Sequence, residues 1–103
     1  MSRFVLAPAA EEDIFEIWCY LAKEVDVSFV DRVEKQIFDA FAVLSASPGS
    51  GHRREDLTPN PVLFFRVFPH QYLIIYKPGS PLEVVGVLHA KRDLSGILFD
   101  RGI

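Results

Sequence analysis

The chain has 103 residues, half of them hydrophobic and 13% aromatic, which excludes a disordered chain and suffices for one domain whose core needs no metal or disulfide staple. Fourteen acids against 11 Lys and Arg give a formal charge of −3, which weighs against a large RNA or DNA footprint because phosphate neutralisation supplies most of that affinity. No run of about 18 apolar residues exists, and the N-terminus has neither a basic start nor a continuous apolar segment, so a cytoplasmic protein is expected. Charge is uneven along the chain. Residues 1–46 hold nine acids and four bases, whereas residues 47–103 hold five acids and seven bases.

In chain order, Arg3–Ala7 reads as a short strand. Pro8 then suits a first helical turn, where its missing N–H costs nothing, and Glu11, Glu12 and Asp13 follow where the helix dipole favours negative charge. Ala10, Ile14, Ile17, Trp18 and Leu21 fall on one stripe, predicting an amphipathic helix over residues 8–24, although Ala7 offers no side-chain cap. Cys19 lies in that helix with no CxxC partner. It is expected to be a small buried or half-buried hydrophobe in a reducing compartment. Asp26 or Ser28 can cap a second helix, in which Val30, Val33, Ile37, Ala40, Phe41 and Leu44 keep the period to about Ala46, with Phe29 and Phe38 widening the stripe. The short gap between the helices predicts an antiparallel hairpin.

Ser47–Gly51 ends the second helix and opens an irregular segment to Pro61 that includes the mixed-charge cluster His52–Asp56. Val62–Phe68, Tyr72–Tyr76 and Leu82–His89 are β-branched and aromatic runs bounded by Pro69-His70-Gln71 and by Lys77–Pro81, so three antiparallel strands are expected. Asp93 can cap one or two helical turns to Asp100, a segment weakened by Gly96. The expectation is an α+β, β-α-α-β-β-β domain spanning residues 1–103. A helical hairpin packs on one face of a small, mainly antiparallel sheet, and the other face is left uncovered.

Little in the chain suggests familiar catalytic chemistry. His52, His70 and His89 are too scattered for a metal site, no glycine-rich phosphate loop precedes a helix, and no serine has a nucleophile-elbow context, so no metal or cofactor is expected. Glu11, Glu12 and Glu16 read as a solvated helix face, and Trp18 and the phenylalanines as core. The residues left as candidates are Arg53, Arg54, Arg66, Tyr72, Tyr76, His89, Lys91 and Arg92. Arg66 interrupts an apolar strand, where a charge must reach water or a carboxylate; it can also simply line the open sheet face. Arg92 can pair with Asp93 or cap a helix. Together, bases from the loop and two strands can converge on the uncovered face.

Ala10-x-x-Asp13-Ile14-x-x-Ile17-x-x-Tyr20, then Leu44-x-x-x-Pro48-x-x-Gly51-x-Arg53, resembles the RelE/ParE family of toxins from bacterial toxin–antitoxin pairs. So do Arg66 followed by Tyr72–Tyr76, and Val87-Leu88-His89-Ala90-Lys91-Arg92-Asp93. The resemblance spans nearly the whole chain in order, and the element order above agrees with that family's fold. It implies one of two activities. RelE-like members cleave mRNA in the ribosomal A site, for which Arg53, Arg66, His89, Lys91 and Arg92 would be the catalytic candidates here. ParE-like members inhibit DNA gyrase without cutting nucleic acid themselves.

The acidic balance, Gly86 where a basic residue is common three positions before the histidine, and a tail without a catalytic Tyr or His all favour a ParE-like toxin. That reading implies a toxicity surface at His89, Lys91 and Arg92. It also implies a ParD-like antitoxin whose disordered C-terminal segment folds along the toxin's apolar grooves; the surface expected to receive it, from more aromatic side chains than two helices need for one buried face, is the hairpin flank bearing Trp18, Tyr20 and Phe38 together with the sheet edge. A non-toxic binding partner that retains the fold is the remaining alternative.

Overall fold

The computed structural model describes residues 3–68 and 70–103, so Pro69 of the expected Pro69-His70-Gln71 turn lies outside the described residues. The elements are β1 (Phe4–Leu6), α1 (Pro8–Glu24), α2 (Val27–Ala46), β2 (Leu63–Val67), β3 (Tyr72–Lys77), β4 (Leu82–His89) and α3 (Leu94–Asp100), with a 3-10 turn at Pro48–Ser50. The α+β order is the one the sequence predicts. The sheet runs β1-β4-β3-β2, antiparallel except that β1 joins β4 in parallel, with Phe4 opposite Leu82 and Leu6 opposite Val84. Local chemistry sets the helix starts as anticipated. Asp26 caps α2 by accepting from the Phe29 N–H at 2.8 Å, while Ala7 gives α1 no side-chain cap and Pro8 opens it.

The first core lies between the hairpin and the sheet. The predicted stripe Val30, Val33, Ile37, Phe41 and Leu44 of α2 meets Ile74, Tyr76, Leu82, Val84 and Val87 there. Tyr76 is fully buried, and its hydroxyl donates to the Pro48 carbonyl at 2.7 Å and accepts from the Gly51 N–H at 2.9 Å. It therefore ties the end of the hairpin to β3 and leaves the list of candidate functional residues.

The expectation of an uncovered sheet face is overturned. On that face Leu73, Ile75, Val85 and Leu88 form a second core with Val62, Phe64, Leu94 and Leu98, and Leu57, Ile97 and Ile103 pack around it. The chain's own tail seals it. The i, i+4 pair Leu94 and Leu98 brings α3 down on the sheet, and burying each is worth about 1.5–3 kcal/mol. Gly96 sits in this helix where its N–H takes the Asp93 carboxylate as cap at 3.3 Å, and a side chain there would press on that carboxylate. Arg66 consequently lines no open face; it is exposed at the end of β2, 5.6 Å from the Phe68 ring centre.

Between Ile75 and Tyr76 the β3–β4 register shifts, leaving Val85 as an extra residue, so that Val85 and Gly86 both serve the second face. The apolar expectation also fails at three side chains of α1: Cys19 is exposed, and Phe15 and Trp18 keep 64% and 40% of their surface in solvent.

Candidate functional site

Beyond Leu6 the chain turns into α1, so the half of β4 from Val85 onward has no strand on its outer side. The α1 stripe Asp13, Glu16, Ile17 and Tyr20 runs beside that half at i, i+3, i+4, i+7 spacing, and a cleft of about 640 Å³ opens between them. Tyr72 and Val87 lie on its sheet side, Leu21, Phe29 and His70 on another, and His89, Lys91 and Arg92 close its far end. A tight turn fixes that end. The Ala90 N–H donates to the Gln71 carbonyl at 2.9 Å, the Arg92 N–H to the His89 carbonyl at 3.1 Å, and the Lys91 N–H to His89 Nδ1 at 3.1 Å. In the last bond Nδ1 is the acceptor. The His89 ring stands edge-on to Tyr72 at 5.4 Å, as His70 does to Phe29 at 5.1 Å. Burial pushes the Tyr72 phenol above its ordinary value, and the neighbouring Tyr20 pushes it the same way.

At the opposite end Asp13 is 3% exposed and accepts three bonds: from the Val87 N–H at 3.0 Å, and from the Arg101 guanidinium at 2.8 and 2.6 Å. That fork holds Arg101 above the ordinary arginine range, chiefly through the hydrogen bond to Asp13, with the charges of Asp13, Glu16 and Glu12 adding to it against the cost of burial. Gly86 provides the room, since a side chain there would meet Arg101 Nη1 at 3.3 Å. The sequence reading gave Asp13 only a helix-dipole role and passed over Arg101. The available signal was an acid at i+3 from Ala10 and i−4 from Ile17, inside the apolar stripe, in a chain whose tail carries one arginine.

Of the candidates, the structure gathers Tyr72, His89, Lys91 and Arg92 in the cleft. The Arg92 side chain has no bond to Asp93, whose carboxylate caps α3. Arg53, Arg54 and Arg66 line no part of the cleft: Arg53 donates to the Pro59 carbonyl at 3.4 Å and Arg54 forks onto Asp56 at 2.9 and 2.8 Å. The five residues that an RNA-cleaving site would draw on are thus split, with three in the cleft and two outside it.

The other expected surface is split as well. Trp18 lies with Phe15, Ile14, Glu11 and Glu34 on the flank of the hairpin, and Phe38, one turn beyond Glu34, stacks edge-on against Phe4 and Phe41 at 6.2 and 5.1 Å. Tyr20 instead faces the cleft, because two residues along a helix turn a side chain by about 200°. Among the described residues no group of three or more His, Cys, Asp or Glu is placed to hold a metal ion, and no helix is long and apolar enough to cross a membrane.

Residues 4–94 match the family model described as the ParE toxin of the type II toxin–antitoxin system parDE. Toxin ParE of Escherichia coli is 29% identical over 101 residues, covering 98% of this chain and 97% of that protein. A solved structure of the chromosomal ParDE toxin–antitoxin system from P. aeruginosa superposes with a TM-score of 0.72 at 12% identity, covering 88% of this chain and 98% of the other, which is a likeness of fold. With a toxin family model matched over residues 4–94, and the expected strand and helix order observed, the chain belongs to the ParE toxin family of type II toxin–antitoxin systems.

Proposed function

We propose that the chain is a cytoplasmic toxin that arrests growth by inhibiting DNA gyrase, catalysing no reaction itself, and that a ParD-like antitoxin neutralises it. The observation that carries the non-enzymatic reading is the dispersal of the bases: Arg53, Arg54 and Arg66 stand outside the cleft that holds His89, Lys91 and Arg92. Cleaving RNA would require a base, an acid and charge stabilisers converging on one phosphate. The toxicity surface on this reading is the rim formed by His89, Lys91 and Arg92. The antitoxin is held by the exposed aromatic flank at Trp18 and Phe38, with Tyr20 reached on the far side of α1.

Gyrase supercoiling with purified protein tests the activity. Loss of supercoiling with accumulation of cleaved DNA is expected, whereas intact supercoiling beside A-site mRNA cuts would replace this reading with the endoribonuclease one. Arg92→Ala and His89→Ala should lower toxicity on expression while leaving the fold intact, and full killing by both would move the active surface elsewhere. For the partner, hydrogen exchange should show new protection across residues 14–41 when the antitoxin is added.

A further inference from the structure

The end of β2 carries an exposed pair that neither core uses. Phe68 keeps 70% of its surface in water, and the Arg66 guanidinium lies over its ring, 5.6 Å from the ring centre. We infer that this pair is an anchor by which the toxin docks on its protein target, entering an apolar pocket with a carboxylate at its mouth. The inference rests on the toxin reading above and adds a contact which that reading lacks.

Strand register places the pair. Val67 stands opposite Tyr72, and Tyr72 opposite His89, so Phe68 and the His89–Arg92 turn leave the sheet at the same end. Neighbouring strands lie about 4.8 Å apart, and two such spacings, roughly 10 Å, separate Phe68 from Ala90. A partner that touches Lys91 and Arg92 therefore reaches Phe68 within one interface of ordinary size, about 800 Å² on each side. The hairpin flank lies elsewhere. There Phe38 stacks on Phe4 of β1, and β1 and β2 are the opposite edges of the sheet.

Charge gives the partner's sign. Of the seven bases in residues 47–103, Arg54 is paired with Asp56, Lys77 with Glu83 and Arg101 with Asp13. Among the described residues the other four have no carboxylate partner. Three of them, Arg66, Lys91 and Arg92, stand at this end of the sheet, whereas Arg53 lies back in the loop beside His52, which pairs with Phe64. A ring set among unanswered cations fits an apolar pocket with an acidic rim.

The same chemistry favours protein over nucleic acid. Three cations neutralise too few phosphates to hold a strand on a chain of charge −3. A base would have to stack on the Phe68 ring, one face of which the Arg66 guanidinium already covers. Aromatic residues and arginine are, by contrast, the side chains enriched at protein interfaces. An arginine already resting on a ring also has less side-chain freedom to lose on docking.

The test compares the whole protein with its Phe68→Ala and Arg66→Glu variants, by growth arrest on expression and by inhibition of gyrase supercoiling. The concentration giving half inhibition should rise about thirtyfold in Phe68→Ala and about tenfold in Arg66→Glu, with arrest weakened in the same order. Circular dichroism melts of both should match the parent, because both side chains are exposed. Undiminished arrest and inhibition by either variant overturns the inference. So does a loss that tracks a lowered melting temperature, which would make the pair structural. A labelled DNA duplex bound by the parent, released by Arg66→Glu and kept by Phe68→Ala, would mark a phosphate surface and also overturn it. Arrest that depends on Phe68 while supercoiling stays intact would sink the gyrase reading and spare the anchor. A parent chain that arrests no growth overturns both.

Discussion

Replacing Arg101 by methionine keeps most of the side-chain volume but removes both bonds that the guanidinium makes to Asp13. Asp13 is then a buried carboxylate, 3% exposed, left with the Val87 N–H as its one remaining donor among those described. Breaking a buried pair by deleting one partner costs about 3–5 kcal/mol. Arg101 itself is 23% exposed, so water reaches the vacated site and the expected loss is nearer about 2–3 kcal/mol. In a chain of this size that lowers Tm by roughly 10–20 °C. The informative partner is Asp13→Asn/Arg101→Met. Its amide oxygen can still accept from Val87 and no charge is stranded, so most of the loss should return. Urea midpoints for the parent, both single variants and the double variant, at unchanged slope, give the coupling energy directly. A coupling below about 0.5 kcal/mol would refute the argument, because it would mean that the two charges act independently.

Other substitutions test the remaining contacts. Leu98→Ala should cost about 2–5 kcal/mol by opening a cavity under α3, measured by urea unfolding; a loss below about 1 kcal/mol would mean the tail does not seal the second face. Gly51→Ala should destabilise by about 1–3 kcal/mol on thermal melting, since the added carbon would lie 2.6 Å from the Tyr76 hydroxyl and 3.0 Å from the Phe64 carbonyl oxygen. Tyr76→Phe leaves the Pro48 carbonyl and Gly51 N–H without their partner, at about 1–3 kcal/mol. It should also change the alkaline limb. Burial raises the Tyr76 phenol in the fold, partly offset by the Gly51 hydrogen bond, so its contribution is complete below about pH 10 and is lost as pH rises through the higher folded-state value. Melting followed above that pH should therefore fall less steeply in the phenylalanine variant.

Most of the architecture was legible because its signals are local. The α2 stripe, the Asp26 cap, the Pro8 start and the three strand runs each depend on neighbours a few residues away, and each appears as expected. What was not legible depended on long-range pairing. Asp13 and Arg101 are 88 residues apart, and the acid looked like an ordinary first-turn residue until the tail brought its partner. Gly96 read as weakening the tail helix, and propensity takes no account of the Asp93 side chain that stands against it. The covered second face was missed because Leu94 and Leu98 reach Leu73, Ile75 and Leu88 only once the tail folds back across the sheet. Of the site, the run His89–Arg92 was visible as chemistry left over at a strand end. The division of Trp18 from Tyr20 was implicit in helical geometry, and the separation of Arg53 and Arg66 from the cleft required the fold.

The shortness of β1 carries a last consequence. A strand whose outer edge lies bare invites strands from other molecules, and folded proteins commonly guard such edges with charge. The Val87 amide is the point where β4 outruns its neighbour, and Asp13 occupies it with a carboxylate that Arg101 keeps in place. The ion pair thus works as an edge guard as well as a brace. Losing it should make the protein prone to aggregate on warming, visible as light scattering that rises with protein concentration before the chain unfolds.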